Sequence, residues 1–264
     1  MQWRTNTQIF LNVEGKRLEA RCWGPAPTQA PTIVLLHEGL GSAGIWRALP
    51  EALVAATGCG VFAWSRQGYG ASDGRALPWP LDFLEQDARA LPALFDVAGL
   101  RQMVLVGHSD GGSIAAAYLG QCTDTRIAGA CLIAAHFFTE PGGLEAIEMA
   151  RQVFTKDLRA RLAPHHRDVD AMFAGWAGAW GDRDFAVGQI EALLPHITVL
   201  ILALQGRQDQ YGTLAQIEAL RHALPEVPEV VILENCGHVP HLEKPDETAR
   251  IIAGFVTRVL GAQS

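Results

Sequence analysis

Two short runs near the start of the chain alternate between apolar and polar residues. They cover residues 8–13 and 16–23, and Glu14-Gly15 separates them. Alternation with a period of two is typical of strands with one buried face, and a two-residue turn joins antiparallel neighbours. The pattern therefore predicts an N-terminal β-hairpin.

After the hairpin, short continuous apolar runs recur and segments of helical periodicity separate them. Continuous apolar runs are typical of strands that are buried on both faces of a parallel sheet. Regular alternation of strand and helix predicts an α/β fold with a mostly parallel, doubly wound sheet. The predicted strands are residues 32–36, 60–64, 103–106, 128–134, 199–204 and 230–233, and the predicted helices are residues 46–56, 81–97, 112–119, 214–224 and 246–259.

The alternation stops between residues 136 and 196, where no buried strand is apparent. Structureless loops of such length are uncommon in compact domains. Residues 144–154 instead have helical periodicity, so we expect a helical insertion over one edge of the sheet. The core would then comprise residues 1–135 and 197–264. Trp176 and Trp180 are four positions apart on a predicted helix, and they either pack onto the sheet domain or line an apolar substrate pocket.

Composition narrows the class of protein. The 264 residues are 49% hydrophobic and 19% charged, which suits one large folded domain and excludes a disordered chain. Lys and Arg number 21 against 28 Asp and Glu, giving a net charge of −7. Because no basic run is present, we expect no nucleic-acid partner.

The cysteines and the apolar runs bear on location. The five cysteines form no closely spaced pair, which favours reduced thiols in the cytoplasm over disulfides or a zinc site. The first residues lack the pattern of a signal peptide. Apolar runs are only a few residues long, whereas a membrane-spanning helix needs about 20. We therefore expect a cytoplasmic protein without a membrane segment, and nothing in the sequence indicates an oligomeric state.

A serine follows the predicted strand 103–106 in the run Gly107-His108-Ser109-Asp110-Gly111-Gly112. In a G-x-S-x-G turn between strand and helix, the serine adopts a strained conformation, and small residues two positions away avoid clashes. Such a turn exposes the Ser109 hydroxyl at the carboxyl end of the sheet. It also brings the Asp110 N–H group and the helix N-terminus near a developing oxyanion. A glycine-rich connection with a capping serine is the structural alternative.

A serine hydroxyl needs a base to become a good nucleophile. His238 follows the last predicted strand and is the candidate; His241 is its near rival, expected in a loop or at a helix start. Asp209 follows the preceding strand and would orient His238. The chain order Ser109, Asp209, His238 matches one known order of this triad.

A second oxyanion donor is expected after the strand 32–36, in a turn of small residues that begins His37-Glu38-Gly39. We assign the Gly39 N–H to this role, beside that of Asp110. Acyl transfer by such a site needs no cofactor.

With these residues in view, the sequence resembles the α/β-hydrolase superfamily over nearly its whole length. The resemblance implies that residues 136–196 form the cap domain. Haloalkane dehalogenases and epoxide hydrolases of this superfamily have an aspartate at the position of Ser109. The serine therefore separates this chain from those two groups of enzymes. The implied substrate is a small molecule, and ester, lactone, thioester, amide and carbon–carbon bond hydrolysis all remain open. The matching segments are 37–39, 64–73, 107–112, Asp209 and 237–238.

Two residues depart from the superfamily pattern: Glu38 replaces a glycine, and Asp110 replaces a small or hydrophobic residue. Either these carboxylates support the site through local backbone or through Arg66 and Arg47, or they favour a cationic or hydroxyl-bearing substrate and raise the pKa of His238. We prefer the supporting role. The candidate pocket residues are Glu38, His108, Trp176 and Trp180.

Other classes of protein have weaker signals. Residues 39–44 match G-x-G-x-x-G, and Arg66 could meet a 2′-phosphate, as in an NADP-dependent oxidoreductase; that hypothesis leaves Ser109 and His238 unexplained. A non-catalytic ligand-binding member would have lost a triad residue, and none is lost. His165-His166 and the pair His238 and His241 lack a third ligand for a metal, and we expect the adjacent pair in an exposed turn.

Overall fold

A computed structural model of the chain describes residues 3–182, 184–185 and 188–262. Its centre is one sheet of eight strands in the order β1-β2-β4-β3-β5-β6-β7-β8. The strands are β1 (Ile9–Val13), β2 (Lys16–Trp23), β3 (Thr32–Leu36), β4 (Gly60–Trp64), β5 (Met103–His108), β6 (Ile127–Ile133), β7 (Leu200–Gly206) and β8 (Glu229–Leu233). The α-helices are α1 (Leu49–Thr57), α2 (Phe83–Ala98), α3 (Asp110–Gln121), α4 (Pro141–Val153), α5 (Arg159–Leu162), α6 (Val169–Trp180), α7 (Gly188–Glu191), α8 (Ala215–Ala223), α9 (Pro240–Glu243) and α10 (Pro245–Gly261).

The strands from β3 to β8 pair in parallel, whereas β2 runs antiparallel to both β1 and β4. This arrangement confirms the predicted hairpin and the mostly parallel, doubly wound sheet. Successive strand residues point to opposite faces. In β3, Ile33 belongs to the hydrophobic cluster that includes Leu53 of α1, and Val34 to the cluster that includes Leu91 of α2. Both faces are covered, which explains the continuous apolar runs.

The segment that the sequence predicted to be a helical insertion contains α4 to α7. A π-helical turn, Phe154–Leu158, continues α4 towards α5. The ring of Phe154 stacks on Phe173 of α6, with 3.7 Å between centroids. No strand occurs in the described part of residues 136–196, a range that also contains positions 183, 186 and 187, which lie outside the described residues.

Element boundaries differ from the predicted ones where glycines or turns intervene. The helix after Ser109 begins at Asp110 rather than at residue 112, because the turn itself starts the helix despite the low helix propensity of Gly111 and Gly112. Residues 46–48 form a turn, and α1 begins at Leu49. Among the described residues, no helix combines the length and apolar character that crossing a membrane requires.

The expectation of an exposed turn at His165-His166 is wrong for His166, which is buried. Its Nδ1 accepts a hydrogen bond from the Gly70 N–H at 3.0 Å, and its Nε2 donates to the Leu40 carbonyl at 2.9 Å. Burial lowers the pKa of His166, which keeps Nδ1 available as an acceptor. The imidazole thus ties the helical insertion to two loops of the sheet domain.

Candidate active site

Ser109 occupies the sharp turn between β5 and α3. Its φ of 52° and ψ of −119° are strained for a non-glycine residue, and its N–H donates to the Ile133 carbonyl at 2.8 Å. A Cβ atom on Gly107 would lie 2.3 Å from the Gly111 carbonyl oxygen, and one on Gly111 would lie 2.0 Å from that of Leu36. These close approaches explain the glycine on either side of the serine.

The three residues of the predicted triad form a continuous hydrogen-bonded chain. The Ser109 hydroxyl lies 3.0 Å from His238 Nε2, and His238 Nδ1 lies 2.9 Å from both carboxylate oxygens of Asp209. Because an ionised carboxylate only accepts, Nδ1 carries the proton and Nε2 is free to accept from the hydroxyl. In this arrangement a histidine can take the proton of a serine hydroxyl.

Asp209 is fixed by its own loop after β7. Its Oδ1 accepts from the Tyr211 N–H at 2.8 Å, and its Oδ2 accepts from the Gln205 side-chain amide at 2.9 Å. Burial favours a raised pKa for Asp209, but the hydrogen bond from His238 and that from the Tyr211 N–H lower the pKa overall. The carboxylate is therefore ionised and held in one orientation.

His238 is neutral at neutral pH and is surrounded by aromatic groups. Burial lowers its pKa, although its hydrogen bond to Asp209 acts in the opposite direction. The rings of Tyr211 and His136 lie 4.6 and 5.7 Å away, centroid to centroid. Burial also lowers the pKa of His136, to about 4. A neutral His238 has the protonation state that a general base requires.

His108 and Glu38, two of the predicted pocket residues, lie behind His238 rather than along the pocket wall. The His108 ring is fully buried, and its Nε2 donates to the His238 carbonyl at 2.7 Å. Its Nδ1 lies 3.7 Å from Glu38 Oε2. Although burial alone would raise the pKa of Glu38, the contact with His108 holds it well below its usual range.

The Asp110 side chain has the supporting role that we preferred, whereas Glu38 uses a different partner. Asp110 forms a buried ion pair with Arg66 at 3.5 Å, and Arg66 also pairs with Asp87 at 3.3 Å. Burial raises the pKa of Asp110 to about 6, against the opposing effect of Arg66. Arg47 is exposed, and the Glu38 carboxylate faces His108 instead.

The peptide between Glu38 and Gly39 has a defined direction. The Glu38 carbonyl accepts from Arg66 Nη2 at 2.9 Å and from His37 Nδ1 at 2.7 Å. In a trans peptide the N–H points opposite to the carbonyl. The Gly39 N–H is therefore directed away from Arg66, and the Asp110 N–H belongs to the first residue of α3. Both remain candidates for an oxyanion hole.

A pocket lies between the Ser109 turn and the helical insertion. Trp176 and Trp180 line it, and both also belong to the buried hydrophobic cluster on one face of the sheet, so the two arrangements that the sequence left open occur together. The cavity is narrow, with about 30 Å³ of room for water-sized groups, so in this conformation it admits only small groups. Thr139, Glu140 and Tyr211 also line it. Sequence analysis missed these three because no motif marks them.

The nicotinamide hypothesis does not fit the position of Arg66. The Arg66 side chain is 2% exposed and is bonded to Asp87, Asp110 and the Glu38 carbonyl, so it is not available to a 2′-phosphate. Gly41 serves a local purpose, because a Cβ there would lie 2.4 Å from Glu38 Oε2. Among the described residues, no group of three or more His, Cys, Asp or Glu side chains could hold a metal ion.

The chain belongs to the alpha/beta hydrolase family, whose model matches residues 33–251. Solved structures agree on the fold. An enol-lactonase from Burkholderia xenovorans LB400 is 24% identical, with a TM-score of 0.74, over 94% of this chain and 100% of that one. The 2-hydroxy-6-oxo-6-phenylhexa-2,4-dienoate hydrolase from Rhodococcus sp. strain RHA1 is 19% identical, with a TM-score of 0.75, over 93% and 96%. An esterase from Rhodococcus sp. ECU1013 is 20% identical, with a TM-score of 0.71, over 96% and 98%.

Proposed function

We propose that this protein is a serine hydrolase that cleaves a small, uncharged ester through an acyl-enzyme intermediate. The observation that carries the proposal is the hydrogen-bonded chain from Ser109 through His238 to Asp209, with distances of 3.0 and 2.9 Å. In this proposal, residues 136–196 act as the cap over the pocket, and free cysteines are compatible with a cytoplasmic location.

The proposed reaction follows from the geometry of these three side chains. Ser109 Oγ forms a bond to the acyl carbon while its proton passes to His238 Nε2, and the carbonyl electron pair moves onto oxygen. Asp209 stabilises the resulting imidazolium. When the oxyanion reverts to a carbonyl, the bond to the leaving alcohol breaks, and the alcohol takes the proton from His238. Water, activated by the same histidine, then releases the acid and restores Ser109.

Charge in the pocket argues for an uncharged substrate. Among the described residues that line it there is no lysine or arginine, while the acidic Asp110 and Glu140 are present. His136 is neutral, since burial lowers its pKa to about 4. A carboxylate substrate, such as the dienoate named for one structural neighbour, would find no cation there. Carbon–carbon bond hydrolysis of such acids is therefore the less favoured reaction.

A compact lactone is the second candidate, and the observation that favours it is the narrowness of the pocket. Lactone opening uses the same triad, and the alcohol stays attached to the acyl group. Aminoacyl amides remain a weaker candidate. The Glu140 carboxylate already accepts from the Thr213 N–H and hydroxyl and from the Gln216 amide, which leaves it poorly placed to bind an amine.

The first test is covalent labelling of the serine by a fluorophosphonate probe. We expect the folded wild type to be labelled at Ser109, and neither Ser109→Ala nor heat-unfolded wild type to react, because only the intact site activates the hydroxyl. Peptide mapping identifies the labelled residue. Absence of labelling in the folded wild type, or labelling elsewhere, contradicts the proposal.

The second test is a hydrolysis screen with the purified wild type and Ser109→Ala. It compares p-nitrophenyl acetate and butyrate, γ- and δ-lactones, aminoacyl anilides and a dienoate acid. We expect turnover of the short esters or lactones, and a loss of kcat by roughly 10⁴-fold or more in the variant. Undiminished turnover by the variant would refute the role of Ser109, and preference for the dienoate would refute the substrate class.

A further inference from the structure

The indole of Trp176 has a hydrogen-bond donor without an acceptor. Trp176 lies on α6, is 6% exposed, and its Nε1 has no partner among the described residues. The side chain lines the same pocket as Ser109 and Asp110. Buried donors in native proteins are nearly always satisfied, so an orphan at a pocket wall calls for an explanation. A bound substrate is the natural source of an acceptor.

The position of Trp176 relative to Gly39 indicates which atom of a substrate could accept this hydrogen bond. A Cβ atom on Gly39 would lie 2.0 Å from Trp176 Nε1. Since a Cα–Cβ bond measures about 1.5 Å, Nε1 lies within about 3.5 Å of the Gly39 Cα. The Gly39 N–H is attached to that same Cα and is directed away from Arg66. The indole N–H of Trp176 and the Gly39 N–H are therefore neighbouring donors.

Trp180, one turn later on α6, serves as a contrast. Its Nε1 also lacks a partner, and it lines the same pocket. However, its ring packs edge-on against His136, 5.7 Å between centroids, and against Phe185 at 4.7 Å. The three atoms nearest to a Cβ on Gly39 all belong to the Trp176 indole.

We propose that the Trp176 indole N–H is a third donor to the carbonyl oxygen of the acyl substrate, contributed by the cap. The inference rests on the proposed function. As Ser109 Oγ bonds to the acyl carbon and its proton moves to His238, the carbonyl electron pair becomes an oxyanion that accepts from Asp110, Gly39 and Trp176. The donors act without forming or breaking covalent bonds. Since Trp176 belongs to the cap, catalysis then requires the cap to be closed. The proposal also explains why residue 39 is a glycine, because a larger residue would displace the indole.

The test is Trp176→Phe, which keeps an aromatic ring and removes the N–H group. It is assayed with a matched pair of substrates: the best ester from the screen and its thionoester, whose sulfur accepts hydrogen bonds weakly. We expect kcat on the oxygen ester to fall roughly 10- to 100-fold, less than for a principal oxyanion donor. The thionoester should lose far less. Oxygen-ester kcat within about twofold of wild type, or equal losses on both substrates, overturns the inference.

Trp79→Phe is the matched control. Trp79 is another buried indole at the junction of the cap and the sheet domain, where it packs against Gly175 of α6, outside the Ser109 pocket. We expect it to leave the ratio of oxygen-ester to thionoester rates unchanged. A ratio that falls as much as in Trp176→Phe would mean that repacking of the junction, rather than a lost donor, causes the effect, and would overturn the inference.

A spectroscopic measurement covers the case in which Trp176→Phe does not fold. A boronic acid that bonds to Ser109 of the wild type carries an oxygen in the oxyanion position. The indole N–H signal of Trp176 is followed in ¹⁵N-labelled protein and is assigned through paramagnetic or selective labelling. We expect this signal to shift downfield when the adduct forms. A signal that does not move counts against the inference. If the boronic acid does not bond to Ser109 and fluorophosphonate does not label it, the proposed function has failed rather than the role of Trp176.

Discussion

At the scale of single residues, the least expected feature is the carboxylate of Glu38 behind the candidate base. Glu38 contacts His108, and His108 in turn donates to the His238 carbonyl. His241 packs beside His108, with 5.1 Å between ring centroids. A negative charge in this buried group favours the protonated form of nearby imidazoles, so Glu38 raises the pKa of His238 against the effect of burial.

Removal of that charge gives a prediction for the pH dependence. In Glu38→Gln the His238 pKa should fall further, because burial and His108 still disfavour the cation while Asp209 alone remains as the stabilising anion. The acid limb of kcat/KM reports protonation of the free base. We expect it to move to lower pH by roughly half to one unit at low ionic strength. A pH–rate profile with the best ester measures the shift.

Glu234→Gln is the control for this profile. Glu234 is 61% exposed and paired with Arg207 on the surface, so its charge is screened by water. The acid limb of kcat/KM for Glu234→Gln should coincide with that of the wild type. A limb that stays in place or moves upward in Glu38→Gln would exclude an electrostatic influence of Glu38 on His238.

The three residues of the candidate triad could be selected from sequence because each lies in the turn or loop that follows a strand, and parallel strands end at one edge of the sheet. Hydrogen bonds at 2.9 and 3.0 Å join the residues so selected. The neighbours of Glu38 could not be predicted in this way. Whether the Glu38 side chain contacts His108 or an arginine depends on the conformation of its loop. Loops have no regular pattern of apolar residues from which their conformation could be predicted.

At the scale of elements, α6 carries the contacts by which the helical insertion packs on the sheet domain. A Cβ on Gly175 would lie 2.1 Å from Trp79 Cε2, whereas one on Gly178 would meet nothing within 4 Å. Both glycines lie within the same helix, so they have the same backbone propensity and differ in packing alone. Helix α6 could be predicted only in part. The spacing of Trp176 and Trp180 indicates a helix, but nothing in the sequence indicates that the helix packs against Trp79.

This pair provides a matched test of the packing. Gly175→Ala should lower the free energy of unfolding by about 1–3 kcal/mol, since the added methyl overpacks against the Trp79 ring. Gly178→Ala should raise it by about 0.5–1 kcal/mol, because alanine is the better helix former. Urea unfolding of both variants measures the difference. Equal effects of the two substitutions would show that α6 does not pack closely on Trp79 in solution.

At the scale of the whole molecule, the sheet and its two layers of helices could be predicted, whereas the burial of histidines could not. Burial lowers the pKa of five histidines in the folded protein, and polar neighbours decide only how far. Only the assembled fold buries them, since several lie in loops that the sequence alone leaves exposed. The five are His37, His136, His166, His238 and His241.

These histidines make stability depend on pH in a defined direction. A group whose pKa is lower in the folded than in the unfolded protein binds fewer protons when folded. Its contribution is complete above the unfolded value near 6.5 and is lost as the pH falls towards the folded value, by about 1.4 kcal/mol per pH unit. Asp110 opposes this effect, because its pKa is raised to about 6 and it gains stability as the pH falls below that value. Glu85, whose pKa burial also raises, acts in the same direction as Asp110, and the five imidazoles outweigh these two carboxyls.

We therefore expect the free energy of unfolding to fall steeply between pH 7 and pH 5, before most carboxylates titrate. His241 is the sharpest probe, because burial lowers its pKa to about 3 and it remains uncharged in the folded protein throughout that range. His241→Phe removes this linkage and should reduce the slope by about 1.4 kcal/mol per pH unit. His196→Asn, at an exposed histidine, should leave the slope unchanged. Urea unfolding at pH 7, 6 and 5 measures all three proteins, and a wild type equally stable at pH 5 and pH 7 would mean that these histidines are protonated in the folded state.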